Sequence, residues 1–94
     1  MERPDEELIL GFQHGDETAF GELFSRYKRP IFNFSLKILN NRADAEDVTS
    51  EVFMKLCEKK DYYQQNAAKF STWLFTIAYN ASISHVRSRR GAVS

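Results

Sequence analysis

Apolar residues recur with a helical period over most of the chain. Phe20, Leu23, Phe24, Tyr27, Ile31, Phe34 and Ile38 fall at offsets of 3, 4, 7, 11, 14 and 18, the spacing of one buried helix face. The stripe keeps its phase through Pro30, where a break would reset it. The pattern therefore predicts one long helix, kinked near the proline and ending near Asn40, rather than two. Asp16 is placed to cap it, while Phe32 and Leu36 lie off the stripe and are available to a neighbouring helix or a partner. Ahead of it, Asp5 is placed to cap a short helix carrying Leu8, Ile9 and Phe12 on one side, with Gly15 at its end. That segment reads as a lid on the core.

A third helix is predicted from Asn41, a cap residue, with Asp44 and Glu46 in its first turn where carboxylates oppose the helix dipole. Its inner face is Ala45, Val48, Thr49, Val52, Phe53 and Leu56; Asp47, Ser50, Glu51, Met54 and Glu58 share the outer one. From Lys59 to Lys69 no helical stripe survives, and only the adjacent Tyr62 and Tyr63 interrupt a polar run. This reads as a loop of about ten residues, long enough to be functional. Adjacent tyrosines cannot easily both point inward. A fourth helix opens at Phe70, with Phe70, Trp73, Leu74, Ile77, Ala78 and Ala81 on its core face. Its far side carries Thr72, Phe75, Tyr79, Ile83 and Val86, with Phe75 and Tyr79 open to packing on the first helix, and a polar edge of Thr76, Asn80 and Arg87 lies between. Such a helix either sits between two protein layers or offers aromatic, amide and cationic groups to a ligand. The small-residue tail from Gly91 to Ser94 has the look of a cut linker.

The fold class is thus all-α, a compact bundle of about four helices in a single domain over residues 1–94. Composition agrees: 43% hydrophobic and 14% aromatic residues exclude general disorder, and four Gly and two Pro argue against a turn-rich β chain. A lone cysteine, Cys57, forms no internal disulfide. A charged beginning and the lack of an 18-residue apolar run give no signal peptide and no membrane insertion, so the cytoplasm is the default location. Zero net charge conceals a dipole along the sequence. Residues 1–68 hold nine Lys/Arg and all thirteen Asp/Glu, whereas residues 69–94 hold Lys69, Arg87, Arg89 and Arg90 and no acid. Three arginines near a helix end simply favour its dipole; beside an aromatic and amide edge they suit a polyanion.

Enzyme chemistry has no constellation to stand on. Glu46 and Asp47 are adjacent and point about 100° apart on a helix, so they form no acid/base dyad. His14 and His85 stand alone, with no Cys or carboxylate at metal-ligand spacing, and Cys57 lacks a neighbouring base. The glycines at 11, 15, 21 and 91 are too scattered to cradle a phosphate. No cofactor, metal or catalytic residue is expected.

Read together, Asp44-Ala-Glu-Asp-Val-Thr-Ser-Glu-Val-Phe-Met-Lys-Leu56, a loop, and Phe70-Ser-Thr-Trp-Leu-Phe-Thr-Ile-Ala-Tyr-Asn80 with Arg87 resemble region 2 of bacterial RNA polymerase sigma factors, most nearly the extracytoplasmic-function type. Gly15 to Phe20 and Leu23 to Tyr27 are similar to that family's first block, so the resemblance covers nearly the whole chain. It implies that the helix from Asp44 docks on the clamp helices of the polymerase β′ subunit, through Asp47, Ser50, Glu51, Met54 and Glu58. It further implies that the loop and fourth helix capture a flipped base on the non-template strand of the promoter −10 element. The residues expected there are Tyr62, Tyr63, Lys69, Thr76, Asn80, Arg87, Arg89 and Arg90, with Tyr63 as a stacking surface and Asn80 as an amide reading a base edge. Trp73 is expected in the core instead.

The pattern departs from the family at Ser50, where Gln is usual, at Ser84, where an acid is usual, and at Ser71, often basic; the loop also lacks a common glycine. No −10 preference can therefore be copied from a relative. Family members carry a second, helix-turn-helix domain for the −35 element, region 4, which is absent from this chain. The chain is accordingly expected to be a fragment or an isolated domain. An anti-sigma protein is a further candidate partner for the apolar edge of Phe32, Leu36 or Met54. The alternative reading is a stand-alone regulatory or anti-sigma-binding helical module without promoter recognition.

Overall fold

The computed structural model describes the chain from Arg3 to Gly91, with side chains through Arg89. The expected tail from Ala92 to Ser94 lies outside the described residues. Four helices follow in order: α1 (Asp5–Gln13), α2 (Glu17–Leu39), α3 (Arg42–Lys59) and α4 (Phe70–Gly91), with a 3-10 turn at Lys60–Tyr62 after α3. No strand occurs among the described residues.

Local chemistry sets most of the ends. The Thr18 N–H donates to Asp16 Oδ1 at 3.0 Å, capping α2, and the Asp44 N–H donates to Asn41 Oδ1 at 2.9 Å, capping α3. Gly15 takes φ +96° after α1, and Asn40 closes α2 in the left-handed region at φ 52°, its N–H donating to the Leu36 carbonyl at 2.7 Å. α2 runs unbroken through Pro30, as its stripe predicts. The proline is on the exposed side, where solvent can replace a lost helix bond.

Asp5 is a correction. It caps nothing: the Pro4 carbonyl accepts from the Glu7 and Leu8 N–H groups, while the Asp5 carboxylate accepts from Arg26 Nη1 at 2.7 Å and from the Tyr27 hydroxyl. A cross-helix ion pair, with a hydroxyl to share it, outcompetes a local cap. Burial first, and this bond second, push the Tyr27 hydroxyl well above the usual phenol range.

The core joins all four helices. Leu8 and Ile9 of α1, Ala19, Leu23, Ile31 and Leu39 of α2, Val48, Val52, Phe53 and Leu56 of α3, and Phe70, Leu74, Ala78 and Ala81 of α4 are buried together. Phe75 packs on α2, against Phe34 at 5.2 Å and Tyr27 at 6.2 Å between ring centres. No helix among the described residues is long and apolar enough to cross a membrane.

Candidate functional site

Two surfaces carry the residues singled out in the sequence. On α3, the six inner positions from Ala45 to Leu56 are all buried. That spacing fixes the helix's rotation, and the opposite positions must face outward. Asp47, Ser50, Glu51, Met54 and Glu58 are exposed, Met54 at 64%. An apolar thioether thus stands in a ring of carboxylates whose visible internal partner is Lys55, 3.4 Å from Glu51. Such a face has shape, charge and one greasy centre, but no reacting group. Cys57 beside it is not a nucleophile in waiting, since desolvation pushes its thiol up rather than down.

The second surface begins in the loop. The adjacent tyrosines divide: Tyr62 is 78% exposed, whereas Tyr63 is 5% exposed. Tyr63 stacks into a cluster with Phe70 at 5.7 Å and Trp73 at 5.2 Å, and its hydroxyl donates to the Ala68 carbonyl at 2.7 Å. Burial raises its pKa above the usual value. The expectation of Tyr63 as a stacking surface is therefore corrected: both the ring and the hydroxyl are occupied inside the protein. Tyr62 is the tyrosine with a free ring face. Lys69 is exposed at the end of the same loop, and Trp73 packs half-buried at the rim of the core.

Along α4, Thr76, Asn80 and Arg87 are exposed on one stripe, spanning about 16 Å at 1.5 Å rise per residue. The Thr76 hydroxyl already donates to the Thr72 carbonyl at 2.8 Å, leaving it an acceptor. Asn80 has no such internal bond among the described residues and offers both donor and acceptor. Beside this stripe, Phe34, Ser71, Thr72, Phe75, Thr76 and Tyr79 line an open groove of about 570 Å³ between α2 and α4. Of these only Thr76 was an expected site residue; Phe34, Ser71, Thr72, Phe75 and Tyr79 were not. The sequence signal for Phe75 and Tyr79 was the aromatic excess on the far side of α4.

The basic end of α4 is less available than expected. Arg89 Nη1 donates to Asp44 Oδ2, and His85 Nε2 lies 3.2 Å from Asp44 Oδ1. Arg89 is thus directed to the start of α3, and His85 does not stand alone. One carboxylate holds both the Arg89 guanidinium and the His85 ring, leaving Arg87 as the exposed basic group of the described stripe. The side chain of Arg90, also expected here, lies outside the described residues. Among the described residues no group of three or more His, Cys, Asp or Glu could hold a metal ion.

The protein-family model described as Sigma-70 region 2 matches residues 23–92. The chain belongs to the sigma-70 region 2 family. Among its relatives, the ECF RNA polymerase sigma factor SigW of Bacillus subtilis (strain 168) is 33% identical over 90 residues, 96% of this chain and 48% of that protein. The ECF RNA polymerase sigma factor BldN of Streptomyces coelicolor is 32% identical over 84 residues, 89% of this chain and 32% of that protein. The chain therefore spans half or less of these sigma factors. A solved engineered region 2 of sigmaE, in complex with GTAAAA, superposes with a TM-score of 0.85 at 31% identity, covering 95% of this chain and 94% of that one. Four-helix architecture is the fold of a sigma region 2 domain.

Proposed function

We propose that this chain is the promoter-recognition domain of an extracytoplasmic-function sigma factor, docking core RNA polymerase through α3 and capturing unpaired −10 bases of the non-template strand through the loop and α4. The observation that carries the reading is the likeness, over nearly the full length of both chains, to a sigmaE region 2 bound to GTAAAA. The acidic face around Met54 meets the β′ clamp helices. Tyr62 supplies the stacking face, Asn80 reads a base edge, and Lys69, Thr76 and Arg87 track the backbone. Arg90 extends that basic edge, while Arg89 does so once released from Asp44.

The energetics are those of exchange. Stacking a base on an aromatic ring is worth about 1 to 3 kcal/mol, and extruding a base costs a few kcal/mol. One stacked base with its edge bonded roughly offsets one base extruded, so the domain holds strands apart only where the captured bases fit. The test is binding of the chain to a random pool of single-stranded hexanucleotides. Enrichment of a preferred sequence, affinity that falls with salt, and loss of preference in Asn80→Ala support the reading. Arg87→Ala should weaken all strands alike. Preference for duplex over single strands would refute it.

A further inference from the structure

The family match begins at residue 23 and leaves α1, Asp5–Gln13, outside it. Yet α1 holds the loop before α4 at both ends. At the near end, Gln13 Nε2 donates to the Lys60 carbonyl at 2.7 Å and the Tyr63 carbonyl at 3.2 Å. Lys60 Nζ also sits 5.3 Å from the centre of the Phe12 ring. At the far end, the Phe70 N–H donates to Glu6 Oε2 at 3.2 Å, so the opening residue of α4 is satisfied from 64 residues earlier in the chain. Between them, Gln65 Nε2 donates to the Glu6 carbonyl at 3.4 Å.

The chemistry is matched at each point. An amide NH₂ has two hydrogens for two carbonyls, and a carboxylate accepts from an N–H that the helix leaves open. Inside the loop, the Tyr63 hydroxyl draws the Ala68 carbonyl to 2.7 Å. Tyr62, Gln64, Gln65, Asn66 and Ala67 remain exposed around these anchored points. A loop that must be ordered on binding loses affinity to that ordering. This one is held beforehand by part-buried hydrogen bonds from the Gln13 amide and to the Glu6 carboxylate.

We propose that α1 is a positioning element for base capture: Gln13 and Glu6 hold the 63–69 loop so that Tyr62 and the loop amides meet a single strand already arranged. The proposal rests on the reading of the loop and α4 as a single-strand surface. Gln13 and Glu6 touch no nucleic acid in it.

The probe is the hexanucleotide that the unaltered chain enriches from a random single-stranded pool. Gln13→Ala, which removes two part-buried hydrogen bonds, and Glu6→Ala, which removes one, should each weaken its binding by about five- to tenfold, and should speed hydrogen exchange at residues 64–68. Glu6→Gln, which keeps a carbonyl acceptor for the Phe70 N–H, should restore most of the affinity. Binding to a β′ clamp-helix fragment should change less than twofold in all three. Faster exchange with unaltered strand affinity overturns the proposal, as does no change in either. Parallel loss of clamp binding also overturns it, because the effect then belongs to the whole fold. If the unaltered chain enriches no sequence, the base-capture reading fails first and takes the positioning role with it.

Discussion

The outer face of α3 and the loop at 60–69 are both surface, and they are built in opposite ways. α3 is oriented by its own repeat: every third or fourth residue is buried, an asparagine caps its start, and the outward residues follow from helix geometry. The loop has no such repeat. Its shape comes from Gln13 and Glu6, across sequence separations of 47, 50 and 64 residues, and from Tyr63 turned into the core. A face made by local periodicity tolerates surface substitution without losing its geometry. A loop made by distant side chains does not.

The largest effect should come from removing the ring on which the loop side depends. Phe70 is fully buried against Tyr63, Trp73 and Tyr27. Phe70→Ala should cost about 3 to 5 kcal/mol in denaturant unfolding, through lost transfer energy and a cavity, and should loosen Tyr63 with it. A cost under about 1 kcal/mol would mean the cluster repacks and the loop is not anchored through it.

Asn41→Ala should cost about 1 kcal/mol, the usual value of a lost N-cap, with faster amide exchange confined to the first turn of α3. Spread of that loosening to residues 64–68 would break the contrast between a self-oriented helix and a remotely held loop.

The smallest effect is one of pH. The Thr18 hydroxyl first, and backbone N–H groups after it, hold the Asp16 carboxyl below its usual value near 3.8. A depressed folded-state pKa gives stability that is present above the ordinary value and lost as pH falls through the lowered one. Unfolding midpoints should therefore decline below about pH 4, and less steeply in Asp16→Asn. The Gln13 amide does not titrate, so its two bonds to the loop should persist over that range. An equal slope in Asp16→Asn would remove Asp16 from the account.

Helix number, the passage of α2 through Pro30, both caps at Asp16 and Asn41, and the whole inner face of α3 were legible because each rests on residues within a few positions of one another. The family resemblance was legible for the same reason, as ordered local motifs. Three assignments were not. Tyr63, expected as the stacking surface, is buried because no period governs a loop, and only Phe70 and Trp73, folded back against it, decide which ring is buried. Arg89 and His85 turn to Asp44, contacts over 45 and 41 positions that charge counting along the sequence cannot register. Asp5 leaves its capping position for Arg26 and Tyr27 on α2. The last two misses are non-local polar contacts overriding a local preference, and the first is aromatic packing from the following helix.

The proposed division of labour makes one face serve polymerase and another serve DNA. Its most direct measurement is a pair of titrations on Glu51→Lys, which reverses a charge beside Met54 on a side chain half open to solvent. Against a β′ clamp-helix fragment, affinity should fall at least tenfold; against the enriched single strand it should stay within about twofold, with stability changed by less than about 0.5 kcal/mol, as for surface substitutions generally. Clamp binding that survives the reversal, with the fold intact, would contradict the assignment of α3 as the docking face.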